Sequence, residues 1–212
     1  MAANTRPGEP DLPPIDLPLA AAGAPTSSAT SAPAPGSASA LGPRRATALF
    51  MLAHPARWIA LGFGSGLSPR APGTVGTLWA WVAFLVLDPW LGDAQWAGVL
   101  AGGALVGWWA CTRCAQHLRV ADPGAIVWDE VLAFWLVLWL VMPAGFWGQV
   151  VAFALFRFFD AVKPGPVGWA DRAFKPRPGQ PPGWREGFGI LFDDLVAALC
   201  TLFLIALWRA VF

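Results

Sequence analysis

Apolar residues are spread unevenly along this chain. Across residues 1–45 they follow neither a helical nor a strand period, and Pro, Ala, Ser and Gly dominate. Such a stretch buries too little surface to offset its ordering entropy, so a disordered tail is expected there. Residues 17–24 are too short for the core of a signal peptide and follow no basic cluster, so the tail is expected to be cytoplasmic. From 46 to 61, Leu49, Phe50, Leu52, Trp58 and Ile59 stand beside His54 and Arg57 in the pattern of an interfacial amphipathic helix, interrupted at Pro55. Five apolar segments follow, at about 75–91, 95–111, 127–142, 146–160 and 188–208. The first, second and fifth are long enough to span a bilayer with tilt. The third and fourth are shorter and are joined through Met142-Pro143-Ala144-Gly145, which fits an αα-hairpin that does not fully cross. The pattern predicts an all-α, polytopic membrane bundle of about four to five apolar helices over residues 46–212.

Composition supports that class. Of 212 residues 56% are hydrophobic and 13% are charged, against about 25% charged in a typical soluble domain. A net charge of +1 provides no field suited to nucleic acid. Fourteen Trp can serve as headgroup-level anchors or as helix contacts. The three cysteines make no disulfide framework, and Cys111 and Cys114 lack the second pair that a zinc site with this spacing needs. Basic residues alternate with connection number. Arg57 and Arg70 precede the first segment, Arg113 and Arg119 follow the second, and Lys163, Arg172, Lys175, Arg177 and Arg185 lie between the fourth and fifth. By the positive-inside rule those connections face the cytoplasm.

Against this apolar background the ionisable residues stand out. Asp129 and Glu130 open the third segment, Arg157, Asp160 and Lys163 close the fourth, and Asp193 and Asp194 interrupt the fifth. Charges in such segments cost roughly 2.5–3.5 kcal/mol each on insertion scales, and function is their default explanation. A buried adjacent acid pair needs a compensating cation or a proton. Magnesium suits carboxylate ligands and keeps waters. A guanidinium forks onto phosphate oxygens and a lysine adds a compact second charge, so the set points to divalent-metal chemistry on a phosphorylated substrate. Arg157 and Asp160, three apart, also fit a plain intrahelical salt bridge.

Residues 62–77 hold five Gly, two Pro and four hydroxyl residues. A loop of this kind can present successive backbone N–H groups to an anion, especially where it feeds a helix N-terminus. Its candidate contacts are Gly64, Ser65, Gly66, Ser68, Gly73 and Thr74. Several phosphatase chemistries are excluded. Cys114 and Arg119 have the wrong spacing for a cysteine-phosphatase loop, and His54 and His117 lie in unrelated contexts.

Four motifs in order carry a family resemblance. They are Gly62-Phe63-Gly64-Ser65-Gly66-Leu67-Ser68-Pro69 with Ala71-Pro72-Gly73-Thr74 and Gly76; Ile126-Val127-Trp128-Asp129-Glu130; Phe156-Arg157-Phe158-Phe159-Asp160 with Lys163-Pro164; and Gly187-Phe188-Gly189-Ile190-Leu191-Phe192-Asp193-Asp194. Together, over about 47–208, they resemble bacterial phosphatidylglycerophosphatase A. The resemblance implies magnesium-dependent hydrolysis of the phospholipid phosphatidylglycerophosphate to phosphatidylglycerol and phosphate at the bacterial inner membrane. Asp129, Glu130, Asp193 and Asp194 are then expected to hold magnesium, and Arg157 and Lys163 to bind phosphate. Asp160 would orient Arg157 or complete the metal shell, and the loop would cradle the headgroup. Where the family commonly has His-Gly-Gly this chain has Arg185, Glu186 and Gly187, so no general acid is assigned. A Pro- and Gly-rich insertion at 174–184 also departs from the pattern. Two rival classes make different predictions. An ion or proton transporter would distribute its acids through the membrane depth, and a non-catalytic lipid-binding protein would need the bases but not two acidic pairs.

Overall fold

The computed structural model describes residues 44–120, 122–175 and 181–211. The tail expected at 1–45 falls almost wholly outside them, as does the middle of the 174–184 insertion. Every regular element among the described residues is helical.

The amphipathic stretch is split, as Pro55 requires. The first helix, α1, is Ala48–Leu52, with the Thr47 hydroxyl accepting from the Phe50 N–H. The second, α2, is Pro55–Ala60, with His54 Nδ1 accepting from the Ala56 N–H at 3.1 Å. Proline at the first position of α2 gives up an N–H that has no helical partner anyway. The glycine-rich stretch then forms a 3-10 turn, Gly62–Leu67, broken at Phe63 and Gly64, whose φ angles of 54° and 106° leave helical space. The expected loop ends early: Pro72 begins α3 (Pro72–Leu87), so Gly73, Thr74 and Gly76 lie in its first turns.

The remaining segments become α4 (Asp93–Leu118), α5 (Trp128–Val141), α6 (Phe146–Val162) and α8 (Trp184–Val211). Between the last two lies a short helix that the apolar pattern did not predict, α7 (Pro166–Ala173). Beyond its first turn helix α5 is apolar on all sides, which marks a central helix, and α3, α4, α6 and α8 all pack against it. Helix α8 also contacts α4, α6 and α7.

Close helix approach depends on small residues. A Cβ on Gly107 would lie 2.5 Å from Trp128 Cδ1, and one on Gly187 would meet the side chain of Thr112. Many indoles fasten helices together. Trp128 Nε1 donates to the Gly103 carbonyl at 3.0 Å, Trp135 to Ala80 at 2.8 Å, and Trp81 to Gln149 Oε1 at 2.7 Å. Buried indole N–H groups need such partners. Trp90 and Trp147 remain exposed, free for the headgroup level.

Helix lengths bear on the number of membrane crossings. Among the described residues only α8, with 28 residues, is long and apolar enough to cross a membrane by length and composition. At 1.5 Å per residue α3, α5 and α6 measure roughly 24, 21 and 26 Å, short of the ~30 Å hydrocarbon core. Helix α4 has the length, but Arg113 and His117 interrupt its last turns.

Candidate active site

The ionisable residues come from different helices and meet in one cavity of about 120 Å³. Asp129 and Glu130 occupy the first turn of α5. Asp160 lies in the last turn of α6, and Lys163 is its C-cap in the left-handed conformation at φ 49°. Asp193 and Asp194 lie well inside α8, which starts at Trp184, so helix capping does not explain them. All six line the cavity, together with Asp122, Asp171, Lys175 and Glu186.

The glycine-rich segment explains why the acid pair of α5 arrives there. Residues 125–127 run against it, and the Val127 N–H donates to the Ala60 carbonyl at 2.9 Å. A Cβ on Gly76 would sit 2.7 Å from the Val127 Cβ, and one on Gly66 would overlap the Ala125 carbonyl. These glycines form a seat for Val127, two residues ahead of Asp129. Ser65 Oγ donates to the Gly62 carbonyl and Ser68 Oγ to the Arg70 carbonyl, both at 2.8 Å, while Gly64 faces Met51. Of the six loop candidates Gly73 reaches the site: a Cβ there would meet Glu130 Oε1 and lie 3.2 Å from Arg157 Nη2. Thr74 follows it in the first turn of α3.

Two cationic arms border the acids. Arg157 Nη1 pairs with Asp160, lies 3.8 Å from Glu130 Oε1 and donates to Thr77 Oγ1 at 3.4 Å. The salt bridge considered from sequence is therefore present, but as part of a network that also touches α3 and α5. Lys163 Nζ pairs with Asp193 and with Asp171 Oδ1 at 2.9 Å, and Lys175 Nζ holds the other Asp171 oxygen at 2.8 Å. Burial works against the Lys163 charge, but hydrogen bonds to Asp193 and Asp171 outweigh it and raise its pKa above the ordinary lysine value. Burial likewise pushes Asp171 up, and the bonds from Lys175 and Lys163 more than reverse this, holding its carboxyl below the usual range.

Asp171 was not singled out from sequence. Its one signal was Lys175 four residues on, an ordinary helix-surface pairing. Asp122 was not singled out either, and Thr77 fell within the glycine-rich stretch 62–77.

A metal fits the acids by their own geometry. One oxygen each from Asp129, Glu130 and Asp194 lie within 4.8 Å of one another. Asp129 Oδ1, Glu130 Oε2 and Asp194 Oδ2 are buried with no hydrogen-bond partner. Orphaned buried acceptors are rare because each costs its full desolvation penalty. Eight carboxylates line the cavity against two lysines, an excess that a bound cation or protonation would offset. An all-oxygen donor set suits a hard ion such as magnesium. Asp193 differs from the trio because Lys163 occupies it. The acids converge at one place, so nothing supports a transporter's relay through the membrane depth.

Carboxylates able to hold a hard cation, flanked by a guanidinium and an ammonium, form the equipment of a phosphoric monoester hydrolase. Comparison with known proteins agrees. Residues 58–209 match the family model described as phosphatidylglycerophosphatase A. The chain belongs to this family, and it is a phosphatase. It is 36% identical over 151 residues to phosphatidylglycerophosphatase A of Escherichia coli (strain K12), covering 71% of this chain and 81% of the relative. It is also 36% identical over 155 residues to the Haemophilus influenzae protein of the same name, covering 73% and 88%. A putative phosphatidylinositol-3-phosphatase of Bacteroides thetaiotaomicron is 35% identical over 159 residues, covering 71% and 91%. No solved structure matches.

Proposed function

We propose that this phosphatase hydrolyses phosphatidylglycerophosphate to phosphatidylglycerol and inorganic phosphate, with magnesium, at the cytoplasmic face of a bacterial inner membrane. The observation that carries the reading is the trio Asp129, Glu130 and Asp194, whose unpartnered buried oxygens lie beside Arg157 and Lys163. The names of the Escherichia coli and Haemophilus influenzae relatives favour this substrate.

Asp129, Glu130 and Asp194 would hold the metal, which supplies charge neutralisation at the phosphate and lowers the pKa of bound water. Arg157, steadied by Asp160 and Thr77, presents a planar donor fork to phosphate oxygens beside the first turn of α3, where the Gly73 and Thr74 N–H groups have no helical partners. Lys163 adds a second positive charge, aimed by Asp193 and Asp171. Its raised pKa keeps it charged throughout the physiological range. The bases neutralise charge that develops on the phosphoryl oxygens. Gly64, Ser65, Gly66 and Ser68 would act through the shape of the loop. Helix α8 would cross the bilayer, with α3 to α6 embedded beside it as a multi-pass bundle.

The test is phosphate release from phosphatidylglycerophosphate by purified protein in mixed micelles, with phosphatidylinositol 3-phosphate compared because of the Bacteroides relative's name. Chelation should abolish turnover and added magnesium restore it. Full activity in excess chelator would remove the metal from the mechanism, and preference for the inositol lipid would replace the substrate.

A further inference from the structure

On the outer side of α8 an apolar groove of about 480 Å³ begins where the acidic cavity ends. Lys163 lines the cavity, and the next residues, Pro164, Gly165 and Pro166, line the groove. Helix α8 makes the same transition. Asp193 lines the cavity, and Val196, Cys200 and Phe203 line the groove. Spacings of three, seven and ten residues keep these on one helix face, so a single stripe runs from carboxylate to hydrocarbon over roughly 15 Å of axis. Phe159 of α6 forms the facing wall.

We infer that this groove holds an acyl chain of the lipid substrate while its phosphate occupies the cavity. The inference rests on the lipid phosphatase reading given above. The polar-to-apolar order along the stripe matches that of a phospholipid, and the groove starts at the lysine proposed to meet the phosphate. A larger apolar groove, about 790 Å³, lies between α6 and the far end of α8 around Val151 and Leu207; the ionisable residue lining it is Arg209. That second groove is suited to bulk lipid and provides a control.

The test compares kcat/KM on long-chain phosphatidylglycerophosphate with kcat/KM on its water-soluble deacylated headgroup. Cys200→Trp, which fills the groove, should lower the long-chain to headgroup ratio at least tenfold, and Leu207→Trp in the far groove should leave the ratio unchanged. If Cys200→Trp does not fold, the wild-type protein carries its own handle. Cys111 and Cys114 are buried and Cys200 is partly exposed, so alkylation with N-dodecylmaleimide should lower the ratio in the same way. An unchanged ratio after the groove is filled, with the wild type active on both compounds, overturns the groove alone. A wild type inactive on both overturns the phosphatase reading and the groove with it.

Discussion

Asp194 and Arg157 make opposite demands on the molecule. Asp194 is a buried carboxylate with an unpartnered oxygen, so its charge destabilises the fold unless something positive binds it. Asp194→Asn should therefore leave thermal stability unchanged or raise it, while kcat falls at least about a hundredfold, in the manner of an activity traded against stability. Unfolding in detergent and phosphate release on the same sample decide this; an active Asn variant would take Asp194 out of the metal set. Arg157 is already bonded to Asp160 and Thr77 and lies within ion-pair distance of Glu130, and the question is whether that network is its purpose. A lysine keeps the charge but cannot present two parallel donors. Arg157→Lys should lower kcat/KM at least roughly tenfold, equivalent to about 1.4 kcal/mol of transition-state stabilisation, with little change in stability. Wild-type kinetics in the lysine variant would make the ion pair structural.

Between residue and fold stands the glycine-rich segment, and here the sequence was legible in composition but not in purpose. Exposed N–H groups and an anion cradle were a fair expectation for residues 62–77. Packing turns most of them elsewhere, because Gly66 and Gly76 make room for the chain at Ala125 and Val127. Which backbone a glycine accommodates depends on contacts some fifty residues away, which no local pattern records. Gly76→Ala should displace Val127 and with it Asp129, costing about 1–3 kcal/mol of stability and lowering activity together. Ser65→Ala and Ser68→Ala remove hydroxyls bonded within the loop, so each should cost at most about 1.5 kcal/mol and leave kcat/KM within roughly threefold. A raised KM with unchanged kcat in the serine variants, at unchanged stability, would return the loop to direct headgroup contact. Helix α7 was missed for a related reason: eight residues rich in small and charged side chains give no apolar run, yet they supply Asp171, which fixes Lys163.

For the whole molecule, the described fold begins at Arg44, whose N–H donates to the Leu118 carbonyl at 3.0 Å near the end of α4. Every residue of the cavity lies downstream of it. Removing residues 2–43 should therefore leave turnover within about twofold when measured on membranes matched for protein content. A large fall in a correctly inserted truncation would mean that the tail reaches the site.

The apolar runs alone determined that the chain is helical and roughly where α3, α4, α5, α6 and α8 lie, because hydrophobic periodicity is written locally. The cost of ionisable groups among those runs also pointed to Asp129, Glu130, Arg157, Asp160, Lys163, Asp193 and Asp194 before any contact was known. Their division of labour belongs to the tertiary structure. The two aspartates adjacent on α8 look equivalent in sequence, yet Lys163 takes Asp193 while Asp194 joins Asp129 and Glu130 with an oxygen left unpartnered. Adjacent helix positions point about 100° apart, and only the packing of α5, α6 and α7 around α8 decides what each one faces.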